Sequence, residues 1–167
     1  MSEVHEAGLS DAVGLHEHRV AIFDEKLSTL FARAEPPSLE RIESIIQECA
    51  ASSNSVLLVS IRGGCVVGSL HFRGSDNPQQ QHCGQLAVSV RLAHRNQGIG
   101  TALLAYLESW APNHGVSRLE LEVLGNNLDA IRLYNRLGYT QEGRRVGAIH
   151  VSGSMNDVVI MAKRLSD

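Results

Sequence analysis

Leu86-Ala-Val-Ser-Val-Arg-Leu-Ala-His-Arg-Asn-Gln-Gly-Ile-Gly-Thr-Ala-Leu-Leu104 is the stretch on which the reading of this chain turns. Residues 84–91 alternate as a strand does, and Ile99, Leu103, Leu107 and Trp110 recur at helical spacing through about 112. A strand therefore feeds through Arg95-Asn96-Gln97-Gly98-Ile99-Gly100 into an amphipathic helix. Glycines at 98 and 100 let the backbone bend close to a ligand, and the free N–H groups of the first helical turn aim at whatever lies there, an arrangement that attracts phosphate. A dinucleotide fingerprint fits poorly, because Leu103 stands where its third glycine belongs, and a Walker loop is excluded because no Gly-Lys-Ser/Thr follows. Taken alone, a short Gly-x-Gly is the plain start of a helix more often than a ligand loop.

Upstream, residues 2–7 read as a short first strand, Ser10-Asp11 caps a helix over about 10–20, and residues 21–35 fit no single period and are expected to be helical. Pro36-Pro37 punctuates before Ser38, which opens a helix to about 51 with Leu39, Ile42, Ile45 and Ile46 on one face. Val56–Ile61 reads as a buried strand, Arg62-Gly63-Gly64 as a hairpin turn, and Cys65–Phe72 as the antiparallel partner, followed by a polar loop over 74–81. Downstream, Leu119, Leu121 and Val123 alternate with Glu120 and Glu122 as a strand, and a helix runs from about Asn127 to Leu137, capped by Asn127 and stopped by Gly138. Two last strands, about 139–147 and 155–164, flank the turn Val151-Ser-Gly-Ser. This order predicts an α/β (α+β) layout with a mixed sheet rather than a doubly wound parallel one.

At 167 residues the chain is expected to be one domain with a core of its own. It is 43% hydrophobic and 20% charged, which excludes disordered and fibrous classes. Fifteen basic against 18 acidic residues leave a net charge of −3, so no general field draws the chain to nucleic acid or anionic lipid. Cys49, Cys65 and Cys83 are odd in number and never form a Cys-x-x-Cys pair, which argues against a disulfide scaffold or a cysteine-rich zinc site and for small buried hydrophobes. With no apolar run near the roughly 20 residues of a membrane span, and no signal-like start, the expected compartment is the cytoplasm.

Arg95-x-x-Gly98-x-Gly100, after Val88-Ser-Val90 and before an Ala/Leu helix, resembles the acetyl-coenzyme A loop of the GNAT superfamily of N-acetyltransferases. Leu121-Glu-Val-Leu-Gly-Asn-Asn127-Leu-Asp-Ala-Ile-Arg-Leu-Tyr134-Asn-Arg-Leu-Gly-Tyr139 resembles the family's second coenzyme motif, in which a strand ends, an Asn opens a helix, and a Tyr precedes Gly-Phe/Tyr. The resemblance covers roughly residues 55–164 and implies a mixed sheet of six to seven strands flanked by about four helices. It departs at Leu92, where the family often has Pro, and at Asn96, where it often has Gly, so the loop is expected to be less pre-bent here.

The resemblance implies direct attack of an acceptor amine on the thioester of acetyl-coenzyme A in a ternary complex, with no acyl-enzyme and no metal. Main-chain N–H groups around Arg95, Asn96, Gln97, Gly98, Ile99, Gly100 and Thr101 would hold the pyrophosphate, and Val88 and Val90 would pair with the pantetheine arm as a strand does. Asn127 would bind the same arm, and Tyr134 would give a proton to the leaving thiolate; their spacing of seven places both on one helical face. Glu122 is the candidate base, with Glu120 and His82 as weaker alternatives. His16 and His18 do not face one another on a helix, which speaks against a metal site, and His71, His94, His114 and His150 read as surface or hairpin residues. The final hairpin, with Arg144, Arg145, His150 and Asp157, would border the acceptor. The expected acceptor is a primary amine of a small molecule such as an amino acid, polyamine or drug; a protein N-terminus or lysine, or a non-catalytic acetyl-coenzyme A sensor, are the alternatives. Sheet edges in the family pair, so a homodimer is compatible, and no nucleic-acid or membrane partner is expected.

Overall fold

The computed structural model describes residues 3–25, 35–151 and 153–165. Its elements are β1 (Glu3–Glu6), α1 (Ala12–Asp24), α2 (Leu39–Ala51), β2 (Val56–Arg62), β3 (Cys65–Gly74), β4 (Cys83–Val90), α3 (Ile99–Trp110), β5 (Arg118–Leu124), α4 (Leu128–Arg136), β6 (Thr140–Val151) and β7 (Ser154–Arg164). The strands form one seven-stranded sheet in the order β1-β2-β3-β4-β5-β7-β6. All neighbours are antiparallel except β4 and β5. The mixed α/β layout and the strand and helix numbers expected from the sequence are those observed.

Local chemistry explains most boundaries. Gly63 and Gly64 both take left-handed backbone angles, φ +58° and +78°, as a tight two-residue hairpin requires, so β2 returns directly as β3. Ser38 accepts the N–H of Arg41 to open α2, and Asn127 accepts that of Ala130 to open α4. Gly138, at φ +87°, ends α4 because its missing Cβ makes that angle free of clash.

The sheet carries helices on both faces. Ala12 and Leu15 of α1 and Ile42 and Ile46 of α2 are buried against Leu57, Val59 and Val66 on one face. On the other, Ile99, Leu103, Leu104 and Leu107 of α3 and Tyr134 of α4 pack with Leu58, Leu70, Phe72, Leu86, Leu119, Leu121 and Val123. The even-numbered residues of β4 and the odd-numbered ones of β5 thus share the α3 face, leaving Ser89 and Glu122 to the α1 face by the period-two rule.

Several expectations are corrected. β6 runs on to Val151, well past the boundary near 147. Residues 21–24 are helical, while 26–34 lie outside the described residues. Cys65 is exposed and Cys49 and Cys83 are only partly buried, so none is the fully buried hydrophobe expected; burial nonetheless pushes the Cys49 thiol up to about 11. His71 is half-buried and meets Cys49 Sγ at 3.6 Å, whereas His114 is exposed as expected and stacks on Trp110 at 3.8 Å between ring centroids.

A candidate coenzyme cleft at the splayed strands

β4 and β5 run parallel but pair only at their starts, Cys83–Gln85 against Arg118–Glu120. Beyond that point the two strands part, and the sheet opens into a cleft of about 820 Å³, within the range of small-molecule sites. The backbone decides what faces it. Arg91 N–H donates to Val67 on β3 and Cys83 C=O accepts Ser75 N–H, so the odd-numbered residues of β4 turn their polar groups to β3. By alternation, Leu86, Val88 and Val90 turn theirs into the gap, where no strand among the described residues pairs them. An extended ligand arm entering the gap meets the free edge of a strand.

The far end of β4 turns into α3 through a loop held by side chains. Leu92 N–H donates to Glu25 Oε1 at 2.8 Å, a bond that proline could not make, which gives the departure at Leu92 its physical sense. Arg95 folds back, its Nε donating to Val90 C=O at 3.0 Å and its Nη2 lying 4.0 Å from Glu25. Asn96 adopts φ +57°, so the turn is bent as a glycine would bend it, and the expectation of a less pre-bent loop is overturned. Asparagine tolerates that region because its short side chain costs little there.

Gly98, at φ +81°, caps α3, and its carbonyl accepts the N–H of Ala102 at 2.9 Å. The N–H groups of Ile99, Gly100 and Thr101 precede Ala102, the first helical donor, and have no partner within the helix. A Cβ at Gly98 would meet no atom within 4 Å, because the residue faces open cleft. Donors at a helix N-terminus, a glycine surface and an unpaired strand edge form a cradle whose chemistry fits an anionic head on an extended amide-bearing arm, as in coenzyme A.

The opposite wall comes from β5 and α4. Asn127 Oδ1 is occupied by Ala130 N–H at 3.2 Å, which leaves its amide NH2 to the cleft. Tyr134, two turns on, is 8% exposed, and burial pushes its phenol up to about 12, so it keeps its proton at neutral pH. Its ring meets Tyr139 edge-on at 5.6 Å. Glu122 lines the cleft and takes Arg145 Nη2 on its Oε2 at 2.5 Å.

Val88, Val90, Arg95, Asn96, Gly98, Ile99, Gly100, Thr101, Glu122, Asn127 and Tyr134 all line this one cleft. Gln97 does not: its side chain turns to Arg62 and to Ala93 C=O. Glu120 is bound by Arg118 at 2.7 Å, and Arg118 also holds Glu142, so this carboxylate is spent on an ion-pair network away from the cleft. His82 lies at the start of β4, where its carbonyl accepts Ser117 and Arg118 N–H, at the far end of the strand from the loop. Sequence reading missed Ile22, His94, Ser89, Arg132 and Arg136, which also line the cleft. Arg132 and Arg136 were legible as a basic pair one turn apart on the motif helix; Ile22 and Ser89 carried no local signal.

A sheet split beside a helix N-terminus, with a buried phenol on one wall, is a cleft of the shape and chemistry that an acyl-carrying coenzyme requires. The sequence places the protein more closely: residues 20–139 match the acetyltransferase (GNAT) family, and the chain belongs to that family. The L-amino acid N-acetyltransferase AaaT of Escherichia coli is 29% identical over 107 residues, covering 64% of this chain and 66% of that protein. The alanine N-acetyltransferase of ribosomal protein bS18 from the same species is 34% identical over 79 residues, 47% of this chain and 53% of that one. The chain spans from 22% to 66% of the length of the first curated relatives it matches. Among solved structures, a GNAT acetyltransferase from Streptococcus pneumoniae superposes with TM-score 0.92 at 24% identity, over 99% of this chain and 100% of that one. A phosphinothricin acetyltransferase from Sinorhizobium meliloti in complex with acetyl-coenzyme A superposes at 0.86 with 18% identity, over 99% and 89%. Family membership makes acetyl transfer from acetyl-coenzyme A the chemistry of this class.

Proposed function

We propose that the protein acetylates the α-amine of an amino acid or a closely related small molecule, using acetyl-coenzyme A in a ternary complex. The observation that carries this reading is the Glu122–Arg145 pair, 2.5 Å apart, on the side of the sheet away from α3. An α-amino acid presents an ammonium beside a carboxylate, which is the complement of a carboxylate beside a guanidinium. A polyamine would find only half of that pair useful. The matched L-amino acid acetyltransferase supports the same class of acceptor.

In this reading the N–H groups of Ile99, Gly100 and Thr101 hold the pyrophosphate, Val88 and Val90 pair with the pantetheine arm, and the amide of Asn127 adds a donor. A main-chain N–H near Val88 polarises the carbonyl. Bound acetyl-coenzyme A supplies an acetyl thioester, whose C–S bond is exchanged for a C–N bond to the acceptor. The ammonium gives one proton to solvent to free its lone pair, Glu122 accepts the second as the C–N bond forms, and Tyr134 donates one to the departing sulfur. Solvent restores both groups, so protons balance over the cycle. Tyr134 suits the donor role because its burial keeps it protonated until it faces a base as strong as a thiolate.

The second reading, an α-amine at a protein N-terminus, is favoured by the match to the ribosomal-protein enzyme. Release of coenzyme A thiol from acetyl-coenzyme A, measured against free L-amino acids, their amides, alanine-initiated peptides and spermidine, separates the two. We expect turnover with free amino acids and loss of it on amidation. Preference for peptides would select the second reading. Tight coenzyme binding without turnover would favour a sensor, for which Tyr134 has no task.

A further inference from the structure

His18 is fully buried on α1, yet it belongs to the wall of the cleft through one side chain. Its Nε2 lies 2.9 Å from Ser89 Oγ, and Ser89 Oγ lies 3.1 Å from Ser69 Oγ, which is itself fully buried on the neighbouring strand. Ser69 and Ser89 are direct partners in the β3–β4 register, so the contact is set by the sheet. Of the three, Ser89 lines the cleft.

Burial and the charges of Arg19 and Arg91 keep the His18 ring neutral, its pKa held down to about 3. A serine hydroxyl has one donor and two acceptor sites, and at Ser89 the contacts to His18 and Ser69 use two of the three. One site of Ser89 Oγ is left for the cleft.

Building on the acetyl-transfer reading, we propose that Ser89 Oγ hydrogen-bonds an N–H of the incoming amine, with His18 and Ser69 as its positioning residues. Ser89 stands on the α1 face of β4 as Glu122 does on β5, so the two oxygens flank one side of the split and Tyr134 the other. Holding two N–H bonds of an amine, at Glu122 and at Ser89, aims its lone pair away from both and toward the gap.

The test uses the full chain and the free L-amino acid turned over fastest, or the best peptide if peptides are preferred. Ser89→Ala should raise KM for the amine about tenfold, the worth of one buried hydrogen bond, with kcat changed less than threefold and acetyl-coenzyme A affinity by calorimetry unchanged. His18→Leu should reproduce that split, His18→Gln, which keeps an acceptor at the Nε2 position, should restore it, and Ser89→Ala/His18→Leu should be no worse than either alone. Nitrogen-15 imidazole spectra of the unsubstituted protein should show His18 neutral at pH 7. A charged His18 ring at that pH, weaker coenzyme binding in Ser89→Ala, or equal damage from His18→Gln and His18→Leu would each overturn the assignment. No turnover by the unsubstituted protein on any amine would instead overturn the acetyl-transfer reading beneath it.

Discussion

Tyr134 and Glu122 divide the proposed chemistry between two environments. Tyr134 sits in a nearly dry wall, where its ionised form is disfavoured, and Glu122 sits beside a guanidinium at a half-exposed edge. Tyr134→Phe removes one oxygen and no packing, so kcat should fall by about 10²-fold while acetyl-coenzyme A affinity stays within twofold. Paired rate and calorimetric measurements on the variant check this. Because the phenol titrates near 12, loss of activity at pH 8–10 should not arise from Tyr134, and the phenylalanine variant should keep the same alkaline limb. Equal losses in rate and coenzyme binding would move Tyr134 from acid to packing residue.

The unit that matters at the next scale is the turn between β4 and α3. Its shape is held from outside by Glu25 at the end of α1, which receives Leu92 N–H, and from inside by the left-handed Asn96 and Gly98. Gly98→Asp places a good capping residue at the start of α3, and aspartate accepts a left-handed angle better than most, so the helix should survive. The new carboxylate would stand where a phosphate must come. The Kd for acetyl-coenzyme A should rise at least about tenfold, with the melting temperature little changed, as titration calorimetry and thermal unfolding would show. Gly98→Asn, which has the same shape without the charge, should bind better than the aspartate variant.

Across the whole molecule, two buried imidazoles tie stability to pH. Burial and nearby arginines hold His18 down to about 3 and His71 down to about 4, whereas both titrate near 6.5 in an unfolded chain. Below 6.5 the unfolded state binds protons that the folded state refuses, so their contribution is complete above pH 6.5 and is lost as pH falls toward the folded values. At pH 5 each should cost about 2 kcal/mol relative to pH 8. Melting temperatures measured from pH 8 to pH 4.5 should fall steeply, and His71→Gln should flatten part of that slope. A flat profile would mean that the two rings take up protons in the fold as readily as in the unfolded chain.

Local pattern carried the elements and much of the site. Alternation over 84–91 and helical spacing from Ile99 to Trp110 were legible because side chains must match the period of their own backbone, and Asn127 and Gly138 marked α4 because caps act within one turn. Arg95 to Thr101 and Asn127 with Tyr134 could be read for the same reason, each set lying on one short segment. The short pairing of β4 with β5 was not legible, since no residue on either strand records where a neighbour departs. Nor were the bonds from Glu25 to Leu92 or from His18 to Ser89, which join residues 67 and 71 positions apart. By itself, the sequence determined which segments fold and which of them match the family's coenzyme motifs. Only the tertiary structure decided that the sheet splits there, that Glu122 is held by Arg145 while Glu120 is spent elsewhere, and that a buried histidine reaches the cleft, because those outcomes depend on contacts between distant segments that no local period encodes.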